Sequence, residues 1–303
     1  MIKVAHLHYR EGWLQRRISK ELGLSTAKVS TLLSKAVEKG LVEIHIHDPF
    51  SPLSQLEEKI QSRFKLSYVG VVPGPFADRE SIAEKLGLHA AIYLQRILRK
   101  EHIVGISGGS TLYSLVSSKA FNTYIPAKVV PIIGGVSAAE YHYTSNGIAA
   151  VLANQIGGTY LQVPFPTFVS LPDVRTAVMR DKSANDALGT AKKADIMVVG
   201  IGTIPSRVLT LPHISDEEIQ GIRDCGAVAE VGGHFLDADG NPVKTGFEER
   251  LIGIELDDLR NATTVIAVSG GSNKLSAIRS VLLSGIVNVL IIDEPTANHL
   301  IEK

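Results

Sequence analysis

Residues 14–47 read LQRRISKELGLSTAKVSTLLSKAVEKGLVEIHIH. Leu14, Ile18 and Leu22 recur at i, i+4 and i+8, an apolar stripe along one short helix. Gly23 stops that helix, because glycine enters the left-handed C′ conformation without steric cost. Leu24 plugs the turn, and Ser25 stands as the N-cap of a second helix, its hydroxyl placed to accept an orphan backbone N–H. Val29, Leu32, Leu33 and Val37 form the second stripe, and Gly40 ends it. Val42, Ile44 and Ile46 then alternate with Glu43, His45 and His47, the period of a half-buried strand. Two short helices joined by a glycine turn and followed by a strand make a winged helix-turn-helix, whose second helix enters the DNA major groove N-terminus first.

That geometry turns Ser25, Thr26, Ala27, Lys28, Ser30, Thr31 and Lys35 toward DNA. Lys28 suits guanine or phosphate, hydroxyls suit either, and the methyls of Thr26 and Ala27 suit thymine. Arg16, Arg17 and Lys20 on the first helix are placed for the phosphate backbone. Upstream, residues 2–10 read as a further helix with Val4 and Leu7 on one face. His6 and His8, two apart on that helix, point in different directions, so no metal is expected there. His45 and His47 share a strand face and read as polar wing residues available to DNA phosphate rather than as metal ligands.

The chain has 303 residues, 45% hydrophobic and 20% charged, ordinary for a folded protein of about two domains. Its formal net charge of zero hides an asymmetry: residues 1–48 carry 8 Lys or Arg against 5 Asp or Glu. A basic head on an acidic body fits a DNA reader attached to a part that does not bind DNA. The single Cys225 excludes internal disulfides and fits a reducing cytoplasm. The N-terminal segment has no signal-peptide core, and no apolar run is long enough to span a bilayer, so a cytoplasmic protein without membrane contact is expected.

Residues 48–53, DPFSPL, read as the linker, giving a winged helix-turn-helix over 1–50 and a second domain over 51–303. Leu56, Ile60 and Phe64 mark a connecting helix that is either a dimer contact or a packed surface helix. From Tyr68 onward strands are expected at 67–72, 102–106, 128–133, 158–162, 195–200, 227–231, 263–268 and 287–292. Helices are expected at 78–100, 111–119, 145–156, 183–192, 215–223, 273–284 and 294–302. Runs such as AKVVPII, ADIMVVG, TTVIAV and VNVLII suit strands buried on both faces of a parallel sheet. The alternation predicts a doubly wound, mostly parallel α/β domain, in which ligands sit at the carboxyl ends of strands.

Four strand ends carry chemistry. They are Ser107-Gly108-Gly109-Ser110-Thr111, Gly134-Gly135, the loop around Gly202, and Ser269-Gly270-Gly271-Ser272-Asn273-Lys274. Glycine lets backbone approach an anion, and a following helix offers free N–H groups and a favourable dipole. Two such loops, one with Lys274, point to a phosphorylated small molecule. Neither matches a nucleotide P-loop or a dinucleotide fingerprint. The stretch Asp237–Asn241 resembles the start of a calcium loop, but Pro242 and Val243 interrupt the ligand positions. It reads instead as a turn with Asp239-Gly240 at its tip, leaving Asp237 as a candidate acceptor for sugar hydroxyls.

These residues together carry a family resemblance. The helix-turn-helix stretch, GISGGSTL, VVPIIGGV, DIMVVGIGTI, GAVAEVGGHFLDADGNPV and VIAVSGGSNKLSAIRS resemble the SorC family of bacterial sugar-responsive transcription regulators over nearly the whole chain. The effector domain of that family is similar to phosphosugar isomerases of the ribose-5-phosphate isomerase and glucosamine-6-phosphate deaminase type. The resemblance implies operator DNA as a partner, a small phosphorylated sugar or polyol effector held near Gly109, Ser110, Thr111 and Lys274, no cofactor, and a homo-oligomer, dimer or tetramer. Four departures stand out: Gly108 where the family often has Trp, Ser110 where it often has Arg, Thr26 and Thr31 where arginines are common, and no lysine in the Gly134-Gly135 loop. An isomerase or deaminase is the alternative, with Asp237, Glu230 and Lys274 as acid–base groups. The attached DNA reader favours control of transcription.

Overall fold

The structure is a computed structural model that describes residues 1–42, 52–135, 141–206, 209 and 214–302. The chain divides into two compact units, Met1–Pro49 and Phe50–Lys303.

In the first unit α1 (Ile2–Ala5) continues into a π-helical turn over His6–Arg10, followed by α2 (Gln15–Leu22) and α3 (Thr26–Glu38). Gly23 closes α2 in the left-handed region at φ 61°, as a helix followed by a tight turn requires. The Ser25 hydroxyl caps α3 by accepting the Lys28 N–H at 3.1 Å. Val4, Ile18, Val29, Leu33 and Ala36 form the small core. Two expectations fail here. Leu14 precedes the helix in extended backbone, so it lies outside the helical register and its side chain is 75% exposed. Val37 is exposed and Ala36 is buried in its place, so the stripe of α3 runs 29, 33, 36. Of the expected wing, only Val42 lies among the described residues, packed against this core; Ile44, His45, Ile46 and His47 lie outside them.

The second unit opens with α4 (Pro52–Phe64) and continues as β1 (Tyr68–Val72), α5 (Arg79–Ile97), β2 (Ile103–Ile106), α6 (Ser110–Ser117), β3 (Lys128–Pro131), α7 (Ser145–Ile156) and β4 (Thr159–Tyr160). Then come α8 (Pro172–Arg180), α9 (Lys182–Ala191), β5 (Ile196–Gly200), α10 (Asp216–Asp224), β6 (Ala229–Val231) and β7 (His234–Leu236). The chain ends through α11 (Leu256–Asn261), β8 (Thr264–Val268), α12 (Leu275–Leu283), β9 (Val289–Asp293) and α13 (Glu294–Glu302). Seven strands form one parallel sheet in the order β1-β9-β8-β5-β2-β3-β4, and β6 pairs with β7 in a separate hairpin. The doubly wound α/β architecture is therefore present as expected.

Each sheet face is covered. Leu86, Leu94, Leu112, Leu115, Ile148 and Leu152 from α5, α6 and α7 pack on one side. Ile60, Leu188, Ile278, Val281 and Leu300 from α4, α9, α12 and α13 belong to the cluster on the other. Each such side chain stabilises the fold by about 1.5–3 kcal/mol. The apolar stripe of α4 is among them: Ile60 is fully buried and Leu56 nearly so. The helix therefore uses that stripe against its own sheet. Gly87 brings α5 onto α6, since a Cβ there would lie 2.5 Å from the Leu115 nitrogen. The sheet order places the functional loops. From β2 the chain winds outward to β3 and β4, then returns to β5 and winds the other way to β8 and β9. The reversal falls between β2 and β5, and such a switch opens a crevice at the carboxyl ends of those strands.

Candidate functional site

The loop after β2 sits at that switch. The Ser107 N–H donates to Val198 O at 3.1 Å, and the Gly200 N–H donates to Ser107 Oγ at 3.3 Å, tying the loop to β5. Gly108 is required by close approach, because a Cβ would meet the Tyr143 carbonyl oxygen at 2.8 Å. Gly109 stands at φ 121°, outside the range of ordinary side chains, and opens α6. Its N–H donates to Tyr143 O at 2.8 Å, and its carbonyl accepts the Tyr113 N–H at 2.9 Å. The first-turn N–H groups of α6, those of Ser110 and Thr111, have no acceptor within the helix.

The loop after β8 is braced differently. The buried Asp293 at the end of β9 accepts from the Gly271 N–H at 2.8 Å, the Thr296 N–H at 3.0 Å and the Thr296 hydroxyl at 2.9 Å. Gly270 makes room for that carboxyl: a Cβ would come within 2.2 Å of Asp293 Oδ2. Gly271, at φ 97°, turns the chain into Ser272–Lys274.

Ser110, Thr111, Gly270, Gly271 and Lys274 line one cleft of about 770 Å3, together with Arg79, Tyr113, Ser114 and Tyr143. Five residues singled out in the sequence thus meet across two strands. Lys274 reaches over β5, and its ammonium donates to Ile201 O at 2.9 Å. Burial lowers its pKa, the charge of Arg79 lowers it further, and the Glu230 carboxyl opposes both. Glu230 is buried, and burial raises its pKa to about 7 despite the Gly233 N–H donated at 2.7 Å. Gly202 packs against Glu230, exchanging backbone hydrogen bonds of 2.9 Å with it, and a Cβ on it would crowd the Glu230 carboxyl; neither residue is among those that line the cleft.

The other residues fall elsewhere. Gly134 and Gly135 are buried; a Cβ on Gly134 would meet the Phe165 and Pro166 carbonyls at 2.5 Å, so this pair closes backbone packing and does not line the cleft. Asp237 must be corrected. Its carboxylate accepts from the Asp239 N–H at 2.9 Å, the Asn241 N–H at 2.8 Å and Asn241 Nδ2 at 3.2 Å. These bonds hold its pKa below the usual range. The same turn packs at the far end of α12, where the Ser280 hydroxyl donates to Asp237 O and Gly240 abuts Ser284, away from Lys274 at that helix's start. Arg79, Tyr113 and Tyr143 were missed. The pattern Asp78-Arg-Glu-Ser81 is a capping box, which marks the start of α5 and so places Arg79 beside the end of β1. Nothing local marks the tyrosines.

On the first unit Arg16, Arg17, Lys20, Ser25, Thr26, Ala27, Lys28, Ser30, Thr31 and Lys35 are all exposed. The Arg17 guanidinium stacks 3.8 Å from the centre of the Trp13 ring. The Thr31 hydroxyl donates back to Ala27 O at 2.9 Å, which leaves its methyl and oxygen on the outer face.

Residues 48–302 match the family described as "Putative sugar-binding domain". The chain belongs to that family. Along its whole length it is similar to transcription regulators. The deoxyribonucleoside regulator of Bacillus subtilis (strain 168) is 31% identical, over 99% of this chain and 96% of that one. The transcriptional regulator LsrR of Klebsiella pneumoniae is 31% identical, over 99% and 91%. The crystal structure of the full-length sorbitol operon regulator SorC from Klebsiella pneumoniae superposes with a TM-score of 0.81 at 27% identity, covering 99% of this chain and 97% of that one. This member of the sugar-binding-domain family is a sugar-responsive transcriptional regulator, and the isomerase alternative falls away. Among the described residues no helix is long and apolar enough to cross a membrane.

Proposed function

We propose that the cleft binds a small phosphorylated sugar or polyol, and that its occupancy decides whether the helix-turn-helix unit holds operator DNA. One observation carries the reading: two glycine loops from opposite sides of the switch point converge with Lys274 and Arg79 on one cleft. The phosphate lies at the start of α6, against the Ser110 and Thr111 N–H groups and hydroxyls, with Lys274 and Arg79 supplying charge. Ser107, Gly108 and Gly109 shape that loop, Gly270 and Gly271 form the facing wall, and Gly202 backs the Glu230 carboxyl that faces Lys274.

Operator DNA is read by Thr26, Ala27, Lys28, Ser30 and Thr31, with Ser25 and Lys35 at the margins and Arg16, Arg17 and Lys20 on phosphate. A homo-oligomer, dimer or tetramer, presents two readers to half-sites about 34 Å apart or a multiple of that, so a small change in subunit packing spoils the match. Moving the equilibrium from mostly bound to mostly free takes a differential affinity of about 5 kcal/mol. Two to three charge-assisted hydrogen bonds, each about 1.5–3 kcal/mol, supply that. The test is DNA binding by the full chain and by Lys274→Ala across a panel of sugar phosphates. Loss of the effector response with DNA affinity retained is the expected result; an unchanged response would remove Lys274 from the phosphate site.

A further inference from the structure

The cleft has an end that a phosphate does not explain. Tyr113 and Tyr143 line it beside the Ser110–Thr111 turn. Their rings are 5.0 Å apart, centre to centre, and meet edge to face at 79°. His142 packs against both rings at tilted angles, its centre 4.0 Å from that of Tyr143 and 4.9 Å from that of Tyr113. One residue of the phosphate loop fixes both tyrosines: Gly109 donates its N–H to Tyr143 O and accepts the Tyr113 N–H, at 2.8 and 2.9 Å. Tyr113 is also three residues into α6 from Ser110, one turn along the helix from its N-terminus. Tyr113 therefore stands one helical turn from the proposed anion position, and both tyrosines are tied to the Gly109 backbone at that helix start. The remaining wall on the α5 side includes Glu80 and Glu84, which repel a second phosphate.

We infer that Tyr113 and Tyr143 form an aromatic wall on which the ring of a cyclic sugar phosphate packs, so that the site selects the ring form over an acyclic polyol phosphate of the same length. This deepens the phosphate-site reading and rests on it. A furanose or pyranose presents a face of C–H groups with small positive charge, which suits the negative face of a tyrosine ring. An open-chain polyol offers no such face and must also give up several free torsions to bind. At about 0.5–1.5 kcal/mol for an aromatic contact, the preference is roughly threefold to tenfold.

The experiment uses the full chain and two matched pairs of probes. Methyl ribofuranoside 5-phosphate is compared with ribitol 5-phosphate, and methyl glucopyranoside 6-phosphate with glucitol 6-phosphate, by calorimetric titration, with inorganic phosphate alongside. The expected result is a preference of about threefold or more for the cyclic member of at least one pair. Tyr113→Leu and Tyr143→Leu are expected to erase that preference while inorganic phosphate binds as before; Tyr113→Phe and Tyr143→Phe, which keep the ring, are expected to retain it. Equal binding within both pairs overturns the inference and leaves the phosphate site standing. A preference that survives both leucine substitutions overturns it as well. Failure of all four probes and of inorganic phosphate overturns the phosphate site itself, and the aromatic wall with it.

Discussion

The loops after β2 and β8 are near copies in sequence, Ser107-Gly108-Gly109-Ser110 and Ser269-Gly270-Gly271-Ser272, yet the structure supports them in opposite ways. Both put the second glycine at positive φ and lead into a helical turn. The β2 loop is held by neutral backbone, through Tyr143 O and the β5 strand. The β8 loop is held by the buried Asp293 and, of the two loops, is the one that carries a cation, Lys274, to the cleft. A shared motif therefore specifies a shared backbone shape, while the charge that gives the site its chemistry comes from residues outside the motif.

The largest effect that separates the loops is expected from Asp293→Ala. It takes the carboxylate from the Gly271 and Thr296 N–H groups, leaving Gly271 only the Thr296 hydroxyl and the Thr296 N–H without its acceptor, at a cost of about 3–4 kcal/mol in chemical denaturation. Ser107→Ala, which removes one long hydrogen bond from the β2 loop, is expected to cost no more than about 1 kcal/mol. Comparable losses would mean that the two loops are braced alike.

Next in size is a pH dependence set by Glu230, the β6 carboxyl that interacts with Lys274 of the β8 loop. The Glu230 pKa is raised by burial to about 7 from an ordinary value near 4.5. Between those values the unfolded chain has lost the proton and the folded chain still holds it, so stability falls as pH rises through that window. The expected change is on the order of 3 kcal/mol, and Glu230→Gln should flatten it. A wild-type curve that instead rises from pH 4.5 to 7 at Glu230's expense, or one that matches the Gln variant, would contradict the burial of an uncharged carboxyl.

Smaller again is the ligand affinity. Lys274→Ala is expected to weaken inorganic phosphate binding by about tenfold to a hundredfold, the scale of a charge-assisted hydrogen bond. Ser110→Ala, from the β2 loop, should weaken it about threefold to tenfold. The smallest effect lies in the other unit. Trp13→Ala releases the stacked Arg17 and should lower DNA affinity about threefold, the worth of an exposed cation–π contact of about 0.5–1 kcal/mol. Trp13→Phe should restore most of it, as read by DNA titration at fixed salt.

What was legible in the sequence follows the same division. The helix-turn-helix core, the parallel strands and the glycine turns are encoded within a few residues of one another, by period and by cap. Leu14 deceived because it stands just before its helix in extended backbone, and Val37 because it sits one position past the buried Ala36; spacing alone resolves neither. Helix α8 has no apolar stripe, since Leu171 and Val174 are exposed and Val178 alone is buried, and only Pro172 at its first turn marks it. The β6–β7 hairpin turns at Gly232-Gly233, upstream of the Asp239-Gly240 turn expected from the sequence. Asp237 carried the right chemistry for a sugar but spends it on its own turn. Contacts such as Asp293 with Gly271, or Glu230 with Lys274, join residues 22 or more apart, and no local pattern announces them.

The most direct measurement is thermal unfolding of the full chain against a panel of sugar phosphates with the matching free sugars. A ligand that binds only the folded state at a hundred times its Kd adds about 2.7 kcal/mol, worth about 5 °C or more in Tm. A rise of that order is expected for at least one phosphorylated sugar, and none for its unphosphorylated counterpart. A free sugar that raises Tm as much as its phosphate would contradict the anion site built from Ser110, Thr111 and Lys274.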